Sequence, residues 1–145
     1  MKKTVTTIIA AVGLFLTMGV VSVSAQTPTG AEVNIPFDFS AGKASLKAGT
    51  YVIIRKSDSM LQIRHANEKR TILVNAPLTI GSRDYRAGER LVFNRYGDEY
   101  FLTQVWFTAD QGKQLLPSNA ETSAARELVK RNLKPERVEI AVRRS

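Results

Sequence analysis

Between Ala31 and Leu116 the apolar residues recur at every second position in short runs, and turn-forming residues interrupt each run. Alternation with period two puts successive side chains on opposite faces of an extended chain, so each run can bury one face of a strand. "AEVNIPFDFSAG" sets Val33, Ile35, Phe37 and Phe39 on one face. Pro36 interrupts it with a residue that cannot donate to a ladder, which marks an edge strand or a bulge. "GKASLKAGTYVIIRK" reads as a short strand, a turn at Ala48-Gly49 and a stronger strand from Thr50 to Lys56. Tyr51–Ile54 is apolar on both faces, the pattern of a covered central strand. Further strands are expected at Met60–His65, Arg70–Asn75, Leu78–Ile80, Arg90–Tyr96, Glu99–Phe107 and Gln114–Leu116.

"FNRYGDEYFLTQVWF" carries the clearest local signal. Gly97-Asp98 fits a two-residue type II′ hairpin loop, with glycine at the first central position. Tyr96 then pairs with Glu99, Arg95 with Tyr100, Phe93 with Leu102 and Leu91 with Gln104. This register puts Leu91, Phe93, Tyr100, Leu102 and Trp106 on one face. Val92, Asn94, Tyr96, Phe101, Thr103, Val105 and Phe107 fall on the other. Asp98 sits at a loop tip and Glu99 begins a strand, so the two carboxylates do not converge as a general acid–base pair must. Arg95 opposite Tyr100 suits a cation–π contact.

The chain changes character after Leu116. Ser118 followed three residues later by Glu121 is a capping box, and Ala125, Leu128, Val129 and Leu133 follow at helical spacing. A helix is expected over 119–133, stopped by Lys134-Pro135. "RVEIAV" then alternates as a closing strand. The fold class is therefore mainly β: a small antiparallel barrel or sandwich of about eight to nine strands with one C-terminal helix followed by that strand.

Residues 1–25 follow a different logic. Lys2 and Lys3 precede an apolar stretch from Ile8 to Val21, and Val23-Ser24-Ala25 offers small residues for cleavage. This is the layout of a secretory signal peptide, with the cut expected after Ala25. The apolar stretch falls short of the roughly 20 residues a spanning helix needs, and no later run reaches that length. Residues 26–30 form a polar, flexible lead and 31–145 a single domain. The protein is expected to be exported, periplasmic or extracellular, with no transmembrane span after cleavage.

Export makes the absence of cysteine informative: no disulfide framework supports the fold, and thiol catalysis is excluded. His65 is the single histidine, so no histidine cluster can hold a metal. It shares a face with Leu61 and Ile63 and reads as structural. No phosphate-cradling glycine loop or nucleophile elbow is present. No catalytic residue, metal ligand or cofactor is assigned; an enzyme would have to use Asp38, Asp84 or His65. The formal charge of +8 falls by two, to +6, when Lys2 and Lys3 leave. Such an excess favours anionic partners, and export removes nucleic acid from them. Basic residues gather at Arg83, Arg86 and Arg90, and again at Lys130, Arg131, Lys134, Arg137, Arg143 and Arg144. The contact residues expected are Tyr96, Phe101 and Phe107 from the aromatic strip and Lys130, Arg131, Lys134 and Arg137 from the basic C-terminal surface.

"VNIPFDFSAGKASLKAGTY", "LVFNRYGDEYFLTQVW", a charged helix and a closing strand together resemble small secreted bacterial β-domain proteins to which no activity is attached. That resemblance implies a self-contained exported domain and transfers no functional residue. The order of barrel, helix and strand also resembles the lipocalin arrangement, without its Gly-x-Trp near the first strand. The expected function is a non-enzymatic binding or interaction domain of the bacterial cell envelope, engaging an anionic envelope component or a protein partner. The alternative is a carrier for a small apolar ligand or lipid inside the barrel.

Overall fold

The computed structural model describes residues 30–143. The expected signal peptide, all of the lead except Gly30, and Arg144 lie outside the described residues. β1 (Gly30–Ile35) buries Ala31, Val33 and Ile35, and Pro36 ends it. β2 (Phe39–Ala41) and β3 (Ala44–Leu46) form a small hairpin through Gly42, whose φ of +58° is left-handed. β4 (Gly49–Arg55), β5 (Met60–His65) and β6 (Thr71–Asn75) follow as an antiparallel meander. After β7 (Leu78–Gly81) come β8 (Arg90–Tyr96), β9 (Glu99–Trp106), β10 (Gln111–Gln114), α1 (Asn119–Lys130) and β11 (Glu136–Ala141).

These strands make two sheets, in the orders β1-β4-β5-β6 and β11-β8-β9-β10-β7, with the β2–β3 hairpin attached to β9. Among the described residues no barrel closes, which corrects the barrel expectation and the lipocalin likeness with it. Two of the three passages between the sheets explain why. The chain crosses at Pro36, between β1 and β2, and at Pro77, between β6 and β7. Proline offers no amide hydrogen, so the ladder stops at each crossing instead of bending round. The run Val33–Phe39, which alternates like one strand, is thus two strands in two sheets. The described residues hold eleven strands rather than eight or nine.

The sheets share one apolar core. Phe93 of β8 meets Phe37 and Phe39 edge-on, at 5.1 and 5.5 Å, and Phe39 meets Tyr51 of β4 at 5.3 Å. Tyr51 buries its ring and donates its hydroxyl proton to the Lys47 carbonyl at 2.7 Å. His65 stands edge-on to Tyr51 at 4.9 Å, and its Nδ1 accepts from the Asn67 amide at 3.2 Å. A Cβ on Gly49 would come within 2.5 Å of His65 Nε2, so glycine there makes room for the imidazole.

The β8–β9 hairpin forms as read up to Phe93↔Leu102. Its left-handed residue is Gly97, with φ +64°, and Arg95 lies 5.4 Å over the Tyr100 ring. A bulge then intervenes. Val92 pairs with Gln104 and Leu91 with Val105, leaving Thr103 as the extra residue. Thr103 donates its hydroxyl proton to the Val92 carbonyl at 3.0 Å. The one-residue shift exchanges faces beyond it. Val105 enters the core, Phe107 packs against that core, and Trp106 goes to the opposite face, where it is buried beneath Arg90, whose guanidinium lies 4.2 Å from the ring. The aromatic strip Tyr96, Phe101 and Phe107 is therefore not a single face.

Two boundaries also move. β10 runs over Gln111–Gln114, not Gln114–Leu116, because Thr108 closes a shorter turn by bonding Asp110 at 2.8 Å and the Gln111 amide at 3.0 Å. α1 ends at Lys130, not at residue 133. Asn132 takes a left-handed φ of +56°, and the amides of Asn132 and Leu133 donate to the carbonyls of Val129 and Leu128, at 2.9 and 3.0 Å. That is a Schellman ending with asparagine in the usual glycine place. β11 pairs antiparallel with β8 at the sheet edge, as the alternation of Val138 and Ile140 implies. No helix among the described residues is long and apolar enough to cross a membrane.

Candidate binding surfaces around the C-terminal helix

α1 begins as its sequence indicates. Ser118 Oγ accepts from the Glu121 amide at 3.1 Å. The second half of the capping box is absent, because the Glu121 side chain turns towards the second sheet. There its Oε1 accepts from the Tyr96 hydroxyl at 3.2 Å and, at 3.5 Å, from Asn94 Nδ2. Glu121 is 7% exposed, the only buried residue of the helix. Burial pushes its carboxyl above the usual range, against the two hydrogen bonds that favour the ionised form. Tyr96 is also pushed up, first by burial and then by the charge of Glu121.

A cleft of about 510 Å³ opens beside this contact, between α1 and strands β8–β10. Its polar lining includes Asn94, Tyr96, Gln104, Gln114, Glu121 and Arg137. Gln104 accepts from the Trp106 indole N–H at 3.1 Å, which fixes its orientation. Arg137 is the cation of the cleft, but its Nε donates to Glu139 at 2.8 Å. The arrangement can exchange hydrogen bonds with a polar guest. Among the described residues no group of three or more His, Cys, Asp or Glu is placed to hold a metal.

The other expected contact residues are dispersed. Phe101 is buried edge-on to Tyr96 at 5.6 Å. Phe107 lines a different cleft, with Lys113. Lys130 pairs with Glu127 at 2.7 Å. Arg131 borders a small pocket of about 170 Å³ with Tyr96 and Leu128. Arg131 and Lys134 form no side-chain ion pair among the described residues. Of the apolar stripe, Ala125 and Leu128 are half-buried, whereas Val129 and Leu133 are 74% and 55% exposed. The other basic group loses a member, since Arg90 is buried on Trp106 with Glu139 3.6 Å away. Asp98 and Glu99 stand exposed at the hairpin tip. Asp38 is tied on the surface to Lys47 at 2.9 Å and to the Ala48 amide.

Sequence reasoning missed three buried charges, Arg90, Lys113 and Glu121. Glu121 had a complete local explanation as a capping residue, Lys113 lay between two expected strands, and Arg90 was counted with Arg83 and Arg86 as a basic group. No family model, curated protein or solved structure matches the chain.

Proposed function

We propose that the chain is an exported, non-enzymatic binding domain of the bacterial cell envelope, and that it engages an anionic lipid surface through the end of α1. One observation carries this reading. Val129 and Leu133 are exposed next to Arg131 and Lys134, neither of which forms a side-chain ion pair among the described residues, although Arg131 lies near enough to Glu127 for their charges to interact. Apolar side chains flanked by exposed cations suit a headgroup layer: the former enter the acyl boundary, and each cation near anionic lipid contributes about 1 kcal/mol. The resemblance to small secreted bacterial β-domain proteins and the signal-like leader support a periplasmic or extracellular place. With no closed barrel among the described residues, the carrier alternative loses the interior it required.

Flotation of the mature protein with vesicles tests the reading. Binding is expected to phosphatidylcholine vesicles containing phosphatidylglycerol, not to phosphatidylcholine alone, and it should weaken as salt rises. The pairs Arg131→Gln/Lys134→Gln and Val129→Ser/Leu133→Ser should each reduce it. Equal flotation of both pairs and the wild type would overturn the proposal and turn the search to protein partners.

A further inference from the structure

Away from α1, a cleft of about 570 Å³ opens along the seam where β4 of the first sheet meets β7 and β10 of the second. Its lining includes Arg55, Lys56, Thr79, Phe107, Gln111 and Lys113, and no acidic residue. Lys113 is the unusual member, at 5% exposed. Its ammonium donates to the Asp58 carbonyl and, at 2.8 Å, to Thr79 Oγ1. Both acceptors are neutral, and two bonds leave one of its three N–H groups unassigned. A buried charge without a counter-charge is costly. A tie between the sheets would need only the two hydrogen bonds. It would need neither the charge nor two further cations at the same opening. Arg55 and Lys56 are exposed there and, like Lys113, have no ion-pair partner among the described residues. The acids nearest in sequence, Asp58 and Asp110, do not line the cleft, and Asp110 is held by Thr108.

We propose that this cleft binds a phosphate monoester bearing an apolar group. Lys113 anchors the phosphate from within, Arg55 and Lys56 meet it at the rim, and Thr79 and Gln111 offer further hydrogen bonds. Half-buried Phe107 and Ile54 form the wall for the apolar part. Three cations exceed what one carboxylate needs and match a group carrying close to two negative charges.

Isothermal titration of the mature protein with phenyl phosphate, inorganic phosphate and benzoate tests the assignment. Phenyl phosphate should bind more tightly than either of the others. Arg55→Gln/Lys56→Gln changes only exposed side chains, so its unfolding midpoint without ligand should match the wild type while affinity for phenyl phosphate falls by about tenfold or more. Lys113→Met should abolish binding. Arg131→Gln/Lys134→Gln should leave it intact, which separates this cleft from the helix end. Flotation with phosphatidic acid in phosphatidylcholine identifies the source of the ester. Reduced flotation of the Arg55/Lys56 variant supports a lipid headgroup, and unchanged flotation with weakened phenyl phosphate binding supports a soluble ester. Absence of binding by the wild type, or equal affinity in wild type and the Arg55/Lys56 variant, overturns the proposal.

Discussion

The inter-sheet core and the C-terminal helix are built on opposite terms. In the core, Phe93 is fully buried among aromatic rings that come from the β1–β2 crossing as well as from β2. Both sheets contribute, so neither can leave without exposing the other. Among α1's own residues the one buried side chain is a carboxylate, held by a tyrosine hydroxyl and an asparagine amide. Apolar burial secures the first region. End caps and a polar contact secure the second. A helix fixed in this way can release its grip without disturbing the core, since its own apolar stripe is only half used.

Substitutions can break this contrast, and the largest effect belongs to the core. Phe93→Ala should lower global stability by about 3–5 kcal/mol in denaturant titration, with sheet and helix signals lost together. Ser118→Ala removes the acceptor for the Glu121 amide and should cost about 1 kcal/mol. That loss should appear first as faster amide exchange in α1, with the protection of β4 and β5 retained. Glu121→Gln should have a smaller effect that depends on pH. The folded-state pKa of Glu121 is raised, so its contribution is fully present below the unfolded pKa and lost as pH rises through the folded one. Glutamine imitates the protonated form. The variant should be the more stable protein at neutral pH, and its advantage should vanish on acidification below the carboxylate range. Stability difference against pH between the two proteins measures this directly, because Asp38, whose pKa is shifted downwards, is common to both. Asn132→Gly should change least, raising the thermal midpoint slightly by easing the left-handed turn after α1.

Much of the strand layout was readable because local rules governed it. Gly97-Asp98 set the hairpin register through Leu102, and Met60–His65 alternated without ambiguity. The bulge at Thr103 was not readable. Val105 and Trp106 are adjacent and both apolar, so either can fill a core position, and the opposite sheet decides between them. Pro36 signalled a broken ladder but not that the chain would change sheets there. Glu121 shows the same limit at the candidate site. Its spacing from Ser118 announced a cap, but the burial of its carboxyl depends on Tyr96, which only the fold brings near. Lys113 had no local signal, because its partners Asp58 and Thr79 belong to distant turns and strands.

The burial of Trp106 on the face away from the inter-sheet core gives the molecule an optical gauge of its own. This single tryptophan is enclosed between Arg90 and the Gly112 backbone, where a Cβ would approach the indole within 2.8 Å. Its emission therefore follows the integrity of β8, β9 and β10, whereas ellipticity near the helical minimum follows α1. One sample watched by both signals separates a helix that lifts from a protein that melts.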